Sequence, residues 1–280
     1  NHMNIHQISR INLSPKVVDC IVFWSKNPSR IIKRLEDLKK YDYYFQFTIT
    51  GYGKKLEPNV INLNKAIETF KYLSDKIGRK KVIWRYDPII FTDEFNLVHH
   101  INTFNNIARE LSGSTKRCVI SFVDLYKKSV GNMSSINLSK NANSEIIEIS
   151  KTLSNISSNY DIELTSCAEE IDLKKYGIAH GKCIDDKLIY EIFGTHLNIK
   201  KDKNQREQCG CIASIDIGAY NTCPHGCLYC YANYNMNQVR INYATHDPKS
   251  ALLFGKIEEK DKITDRKVFS CKIFQQSFLK

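Results

Sequence analysis

The stretch that decides the fold is Tyr43-Tyr-Phe-Gln-Phe-Thr-Ile-Thr50, a short run of aromatic and β-branched residues. Such a run is typical of a buried strand. The next segment, residues 63–77, has the pattern of a helix that Gly78 caps, and a second apolar run follows at 81–86. This order of strand, helix and strand predicts a βα unit of a parallel sheet.

The same alternation continues along most of the chain. Further strands are predicted at residues 18–24, 117–124, 161–165 and 212–217. Further helices are predicted at 28–39, 94–111 and 144–157, and a flexible loop rich in Ser and Asn at 131–143. The whole pattern predicts an α/β fold, specifically a partial (β/α)6-type parallel barrel similar to a TIM barrel.

Composition limits the class of protein. A chain of 280 residues with 42% hydrophobic side chains can bury a large core. Ten cysteines without an apolar signal stretch indicate a reducing, cytoplasmic location, and no apolar run reaches the length of about 20 residues that crosses a membrane. The start, Asn1-His-Met3, is typical of a tag remnant or of the cut edge of a longer protein.

The net charge of +11 makes nucleic acid a candidate partner, because clustered lysines replace phosphate counterions. The alternative is a solvated basic surface, since the lysine pairs are spread along the chain and form no basic tail.

Polar residues gather where the predicted strands end. In a parallel barrel the carboxyl ends of the strands form the rim at which ligands bind. The rim residues are Lys26, Asn27, Thr48, Thr50, Arg85, Asp87, Asp124 and Tyr126. Asp87, Asp124 and Glu57 are candidate acid or base groups, with salt bridges as the alternative.

The segment after the predicted strand 212–217 carries Cys223, Cys227 and Cys230. Three thiolates do not complete a structural zinc site, which takes four protein ligands, but they suit an iron-sulfur cluster with one iron open to a ligand. The alternatives are a zinc knuckle completed by His225 or by a distant cysteine, and a disulfide.

The Cys-x3-Cys-x2-Cys spacing, with Tyr229 before its last cysteine, resembles the signature of the radical S-adenosylmethionine (SAM) superfamily. The resemblance implies that the three cysteines ligate a [4Fe-4S] cluster whose fourth iron binds SAM, with Tyr229 near the adenine. It also implies an electron donor such as flavodoxin or ferredoxin. A Gly-Gly-Glu-like motif for the SAM amine is not apparent, so the expected substitutes are rim residues, namely Lys26, Asn27, Gln46, Thr48 and Arg85.

The whole chain also resembles the DUF1848 family. The resemblance rests on Val18-Asp-Cys-Ile-Val-Phe-Trp-Ser-Lys-Asn-Pro28, Phe45-Gln-Phe-Thr-Ile-Thr-Gly51, Glu57-Pro58, Trp84-Arg-Tyr-Asp-Pro88 and the late cysteine cluster. A weaker similarity links Ser25-Lys-Asn-Pro28, Leu56-Glu-Pro58 and Asp87-Pro-Ile89 to radical SAM proteins like spore photoproduct lyase, where related segments follow the cysteine motif. Radical SAM domains place that motif after their first strand, so its late position here implies a circularly permuted barrel.

Four more cysteines form a possible second ligand set, namely Cys167, Cys183, Cys209 and Cys211. If they converge, four thiolates suit a second [4Fe-4S] cluster or a zinc ion. The alternative is that some are buried thiols, which behave as small hydrophobes.

The chain therefore divides into barrel βα units at 1–166, a cysteine-rich insertion at 167–211, and the permuted first strand, cluster loop and tail at 212–280, all within one domain. The leading interpretation is a radical SAM enzyme that abstracts hydrogen from an unknown substrate. The main rival is a non-enzymatic nucleic-acid-binding protein stabilised by zinc or iron-sulfur. Methyl transfer without radicals ranks last, because no glycine-rich loop follows an early strand.

Overall fold

The computed structural model describes residues 6–124, 131–134, 136–139 and 142–273. Its centre is a six-stranded, all-parallel sheet. The strands of this sheet are β2 (Ile21–Ser25), β3 (Tyr43–Thr48), β4 (Val82–Ile89), β5 (Arg117–Phe122), β6 (Glu163–Ser166) and β7 (Ala179–His180). They lie side by side in chain order. The prediction of an α/β fold with a parallel sheet is confirmed.

Helices connect the strands. They are α1 (Ser29–Ile32), α2 (Gly53–Leu56), α3 (Leu63–Ile77), α4 (Leu97–Leu111), α5 (Ala142–Asn159), α6 (Asp186–Phe193) and α7 (Met236–Ala244). Short 3-10 turns occupy Leu35–Leu38, Arg79–Lys81 and Lys174–Tyr176. The helices α3 and α4 begin at Asn62 and Asn96, whose side chains accept backbone N–H groups of the first turn.

The two faces of the sheet bury different side chains. Because side chains alternate along a strand, Phe45 and Phe47 of β3 face the helices α3 and α4, where they pack with Phe70 and Phe104. This face holds the main hydrophobic core. The opposite, inner face carries an apolar patch with Tyr44 and a row of polar residues that includes Gln46, Arg85, Asp87 and Ser121.

The second sheet was not predicted. It pairs β1 (Gln7–Ile11) in parallel with β8 (Lys262–Arg266), so that two segments about 255 positions apart lie together. Both strands are short and largely exposed. Neither has the apolar periodicity by which sequence reasoning finds a strand.

Three predicted elements need correction. Residues 212–217, predicted to be the permuted first strand of the barrel, are not a strand, because only Ile212 among them forms a bridge, to Lys201, and Asp216 accepts the Gly218 N–H in a turn. The helix predicted at 28–39 is a single turn followed by a 3-10 turn. The loop predicted at 131–143 ends earlier, since α5 begins at Ala142, and part of it lies outside the described residues, as does Tyr126.

The strand order is open in the described part of the chain, where β2 and β7 each pair with one neighbour and not with each other. The register of β4 with β5 shifts between Tyr86 and Ile89. Pro88, which has no N–H to donate, lies at this shift. Among the described helices, none has both the length and the apolar character needed to span a membrane.

Candidate functional site

The loop that carries Cys223, Cys227 and Cys230 is held in shape by buried asparagines. Asn221, which adopts a φ of 54°, accepts the backbone N–H groups of Tyr234 and Asn235 through its side chain. Asn233 donates to the Cys223 carbonyl at 2.6 Å. A buried amide costs free energy unless it is paired, so these bonds fix the loop's two ends together.

This cysteine loop, residues 221–233, lies against the segment that follows β3. The Leu228 N–H donates to the Leu56 carbonyl at 3.0 Å, and Asn59 bonds both the His225 and the Pro224 carbonyls. The segment after β3 begins at the carboxyl end of that strand. The loop is therefore placed at the edge of the sheet where parallel α/β proteins bind ligands.

A buried ionic network joins the loop to the ends of β2 and β3. Lys26 Nζ lies 2.8 Å from Glu57 Oε1, which also accepts the hydroxyls of Thr50, at 2.6 Å, and Tyr229. The Tyr229 ring packs edge to face with Tyr52 at 6.1 Å, and Lys26 Nζ lies 5.6 Å from its centre. The predicted site residues Lys26 and Tyr229 are thus together, linked by Glu57.

Electrostatics in this network favour charged Glu57. Burial would raise the pKa of Glu57, but Lys26 and the hydroxyls of Thr50 and Tyr229 hold that pKa below its ordinary value. Burial and the adjacent Glu57 raise the pKa of Tyr229 well above its usual range. Tyr229 therefore stays a neutral donor to the carboxylate.

The three thiols of the loop differ in exposure. Cys227 is buried, Cys230 is half-buried and Cys223 is exposed. Burial, with smaller contributions from Glu57 and from the thiols of Cys230 and Cys223, raises the pKa of Cys227 to about 12, whereas Lys26 opposes the rise. Lys26 is therefore the cation that favours the thiolate form of Cys227.

The second cysteine set converges from three chain segments. Cys167 follows β6, Cys183 follows β7, and Cys209 and Cys211 come from a later turn. The Cys167 and Cys183 sulfurs are 3.1 Å apart, and Cys183, Cys209 and Cys211 form one buried cluster with Ala168. Within the described residues, no group of three or more His, Cys, Asp or Glu side chains is arranged to hold a metal ion.

Arg85 and Gln46 lie beside this second set. Arg85 Nη1 donates to Cys183 Sγ at 2.8 Å and to Gln46 Oε1 at 3.3 Å, while Gln46 Nε2 donates to the Cys183 carbonyl at 3.0 Å. Arg85 also binds Asp87 through Nε and Nη2. Burial opposes ionisation of Asp87, but Arg85 and Ser121 hold its pKa below its ordinary value.

A polar row therefore runs along the inner face from the cysteine loop to the second set. Lys26, at the loop end of this row, helps to lower the pKa of Asp87. Asp87 pairs with Arg85, which in turn donates to Cys183 at the other end of the row. Asn27 and Thr48 lie at the ends of β2 and β3. The Asn27 side chain accepts the Ser29 N–H, and Thr48 is half-buried.

Asp124, the third candidate acid or base, pairs with Arg206. Two histidines outside the candidate site also have local roles. His100 is buried between the Tyr86 hydroxyl and the Ile90 carbonyl, and His196 stacks on Tyr190 at 3.9 Å. A cavity of about 800 Å³ beside Thr92 contains none of the predicted site residues.

Glu169 is a titratable residue that sequence reasoning missed. Burial raises its pKa to about 7, and its Oε1 accepts the Phe122 N–H at the end of β5. The preceding Ala168 adopts a φ of 53°, a strained conformation for a residue with a Cβ. The signal in the sequence was a carboxylate two positions after Cys167, directly beyond a predicted strand.

Comparison with known families is informative at this point. A family model matches residues 1–232, which include the central sheet and all three cysteines of the loop. The chain belongs to the DUF1848 family. The family prediction is confirmed, and its description, a domain of unknown function, assigns no activity. Comparisons with curated proteins and with solved structures gave no match.

Proposed function

We propose that this DUF1848 protein is a radical SAM enzyme in which Cys223, Cys227 and Cys230 hold a [4Fe-4S] cluster. The observation that carries the proposal is the position of the cysteine loop. Its three thiols lie on one loop at the carboxyl end of a parallel sheet, and Tyr229 of that loop belongs to the buried network of Lys26 and Glu57. Three thiolates leave one iron of such a cluster without a protein ligand.

We also propose a partial, circularly permuted barrel. The sequential strand order supports it, because a barrel adds strands in chain order whereas a doubly wound sheet reverses direction. The loop follows the sheet in sequence, yet Tyr229 shares Glu57 with Lys26, which follows β2. A loop that precedes β2 in an unpermuted chain would have the same neighbours.

Held by Cys223, Cys227 and Cys230, a reduced [4Fe-4S] cluster would supply the one-electron chemistry for reductive cleavage of SAM and for hydrogen abstraction from the substrate. The chain's residues bind and shield the reactants. Lys26 places a positive charge beside two of the thiols. Tyr229, Tyr52 and Leu228 form an apolar wall that excludes water on one side.

The predicted SAM contacts separate into two groups. Lys26 and Tyr229 meet at Glu57 beside the loop, and Asn27 and Thr48 lie at the ends of β2 and β3; we assign these four to SAM. Arg85 and Gln46 are already bonded to Asp87 and to Cys183, so we assign them to the far end of the polar row. The electron donor is a small redox protein of the flavodoxin or ferredoxin type, and it approaches on the side of exposed Cys223.

The rival, a metal-stabilised nucleic-acid-binding protein, needs aromatic rings that are free to stack on bases. Tyr229 is engaged with Glu57 and packs against Tyr52, so it is not free to stack on a base, whereas Tyr231 and Tyr234 beside it in the sequence are exposed. The substrate itself has no assignment beyond a molecule that reaches the inner face of the sheet.

The test is anaerobic reconstitution with iron and sulfide, followed by a chromatographic assay for 5′-deoxyadenosine with SAM and a reductant. We expect product in the native protein and only the reductant-free background in Cys223→Ala. The matched control is Cys271→Ala. Cys271 belongs to neither cysteine set, and its backbone N–H donates to the Asp19 side chain. Zinc in place of iron, or equal product from Cys223→Ala, contradicts the proposal.

A further inference from the structure

We propose that Cys167, Cys183, Cys209 and Cys211 form a second metal centre with four thiolate ligands, independent of the cysteine loop. Four thiolates are a complete ligand set, which suits a closed, structural site for zinc or for an iron-sulfur cluster. The proposal does not rest on the radical SAM assignment.

The first argument is convergence. The four cysteines come from three segments separated by up to about forty positions, and yet they meet beyond the ends of β6 and β7, where Cys167 packs against a buried cluster of Cys183, Cys209 and Cys211. Cys183, Cys209 and Cys211 are each less than a tenth exposed. Buried thiols can pack as small hydrophobes, but four of them in one place also supply a complete thiolate ligand set.

The second argument is the set of donors that face the sulfurs. Cys211 Sγ accepts two successive backbone N–H groups, from Cys183 at 3.2 Å and from Ile184 at 3.4 Å. Arg85 Nη1 donates to Cys183 Sγ at 2.8 Å. A neutral thiol is a weak acceptor, whereas metal-bound thiolates are stabilised by such outer donors.

The third argument is charge. A divalent ion with four thiolates has a net charge of −2, and a buried negative centre requires a cation nearby. Arg85 is the cation beside the sulfurs and is 5% exposed, and it shares its charge between them and Asp87. Asp87 holds its other two donor positions, which fixes the direction of Nη1 toward Cys183.

As they stand in the described part of the chain, the sulfurs are not arranged to hold a metal ion, so metal loading requires them to move. Two thiolates at 2.3 Å from one zinc in a tetrahedral site lie about 3.8 Å apart, whereas the Cys167 and Cys183 sulfurs are 3.1 Å apart. These two must separate by about 0.7 Å, which a small side-chain rotation provides. Each thiol releases a proton as it binds zinc, and zinc binding involves no oxidation or reduction.

The experiment uses the full chain with Cys223→Ala, Cys227→Ala and Cys230→Ala together, so that failure of the proposed enzyme does not affect it. We expect this variant to carry zinc or iron as purified. After chelation it binds about one Co²⁺ per chain, with the near-ultraviolet absorption of thiolate-to-cobalt charge transfer. Anaerobic loading with Zn²⁺ alone, or with iron and sulfide, then identifies the natural centre.

Adding Cys209→Ala and Cys211→Ala must abolish the cobalt absorption, whereas adding Cys271→Ala must leave it unchanged. If the chain with all five cysteine substitutions does not fold, alkylation of the chain that lacks only Cys223, Cys227 and Cys230 tests the proposal instead. Cys167 and Cys183 should be protected with metal and react after chelation. The proposal is overturned if the triplet-free chain binds no cobalt, if the absorption survives loss of Cys209 and Cys211, or if metal-free protein contains a Cys167–Cys183 disulfide.

Discussion

The two cysteine sets of this protein are held in different ways. The triplet lies on one continuous loop, whose ends are fixed by buried asparagines and whose first thiol is exposed. The quartet is gathered from three segments into a buried cluster, and its donors point at the sulfurs themselves. A polar framework at the ends of a loop therefore leaves Cys223 exposed, whereas packing around the sulfurs buries Cys183, Cys209 and Cys211.

Glu57→Gln gives the largest expected effect, because it leaves Lys26 buried without its carboxylate. Removing one partner of a buried ion pair costs about 3–5 kcal/mol of unfolding free energy, and the pair is 13% and 5% exposed. Urea unfolding measures the loss, and hydrogen exchange at residues 223–233 should accelerate. Glu94→Gln is the control, since its partner Lys55 is exposed and such pairs contribute about 0–1 kcal/mol. Equal losses in both variants would contradict the buried network.

Arg85→Met tests the surroundings of the second cysteine set. It leaves Asp87 without its cation and removes the donor to Cys183. We expect a loss of about 2–4 kcal/mol, somewhat less than for Glu57→Gln, since Asp87 is one-fifth exposed. Adding Asp87→Asn should recover part of it, and urea unfolding of the single and double variants measures this coupling. A double variant no more stable than Arg85→Met would show that the ion pair does not account for the loss.

Asn221→Ala tests the framework of the loop. The variant loses the acceptor for two backbone N–H groups and puts a less tolerant residue at a positive φ. We expect a loss of about 1–3 kcal/mol in unfolding free energy by urea titration. Asn221→Asp keeps the acceptor oxygen and the tolerance, so it should lose less than half as much. Similar losses would assign the effect to something other than these two bonds.

Glu169→Gln gives the smallest expected effect, which is a pH-dependent difference in unfolding free energy between the variant and the native chain. Because burial raises the pKa of Glu169 from 4.5 to about 7, the carboxyl's contribution is fully present below about pH 4.5 and is lost as the pH rises through about 7. Gln imitates the neutral acid and keeps the acceptor for Phe122. The shift corresponds to about 3 kcal/mol at most. Because Glu169 is partly exposed, we expect the variant to gain about 1 kcal/mol over the native chain between pH 5 and pH 8, as measured by urea unfolding. A constant difference would show that Glu169 titrates normally.

The main sheet followed from the sequence because its strands are continuous apolar runs between polar segments. The helix predicted at 63–77 coincides with Leu63–Ile77, where Asn62 and Gly78 mark both ends. The strand predicted at 212–217 was wrong. Apolar residues alternate in this segment, but it pairs with no strand of the sheet, and Ile217 is 53% exposed. The pairing of β1 with β8 depends on segments too far apart for any local pattern.

At the candidate site, sequence reasoning found the thiols and Lys26 from their types and spacing. It did not find that Lys26, Thr50 and Tyr229 share one carboxylate oxygen, because that depends on how a late loop contacts an early strand. Glu169 was missed because a single carboxylate in a loop has no pattern, and burial alone shifts its pKa.

The small β1–β8 sheet has a practical consequence for anyone who shortens this protein. The family match ends at residue 232, and β8 lies beyond it at Lys262–Arg266. A chain cut at that boundary would leave β1 without its hydrogen-bonding neighbour, and an orphaned strand readily pairs with another molecule. Recombinant fragments trimmed to the conventional domain limits are therefore expected to self-associate, whereas fragments that extend past Arg266 should remain monodisperse.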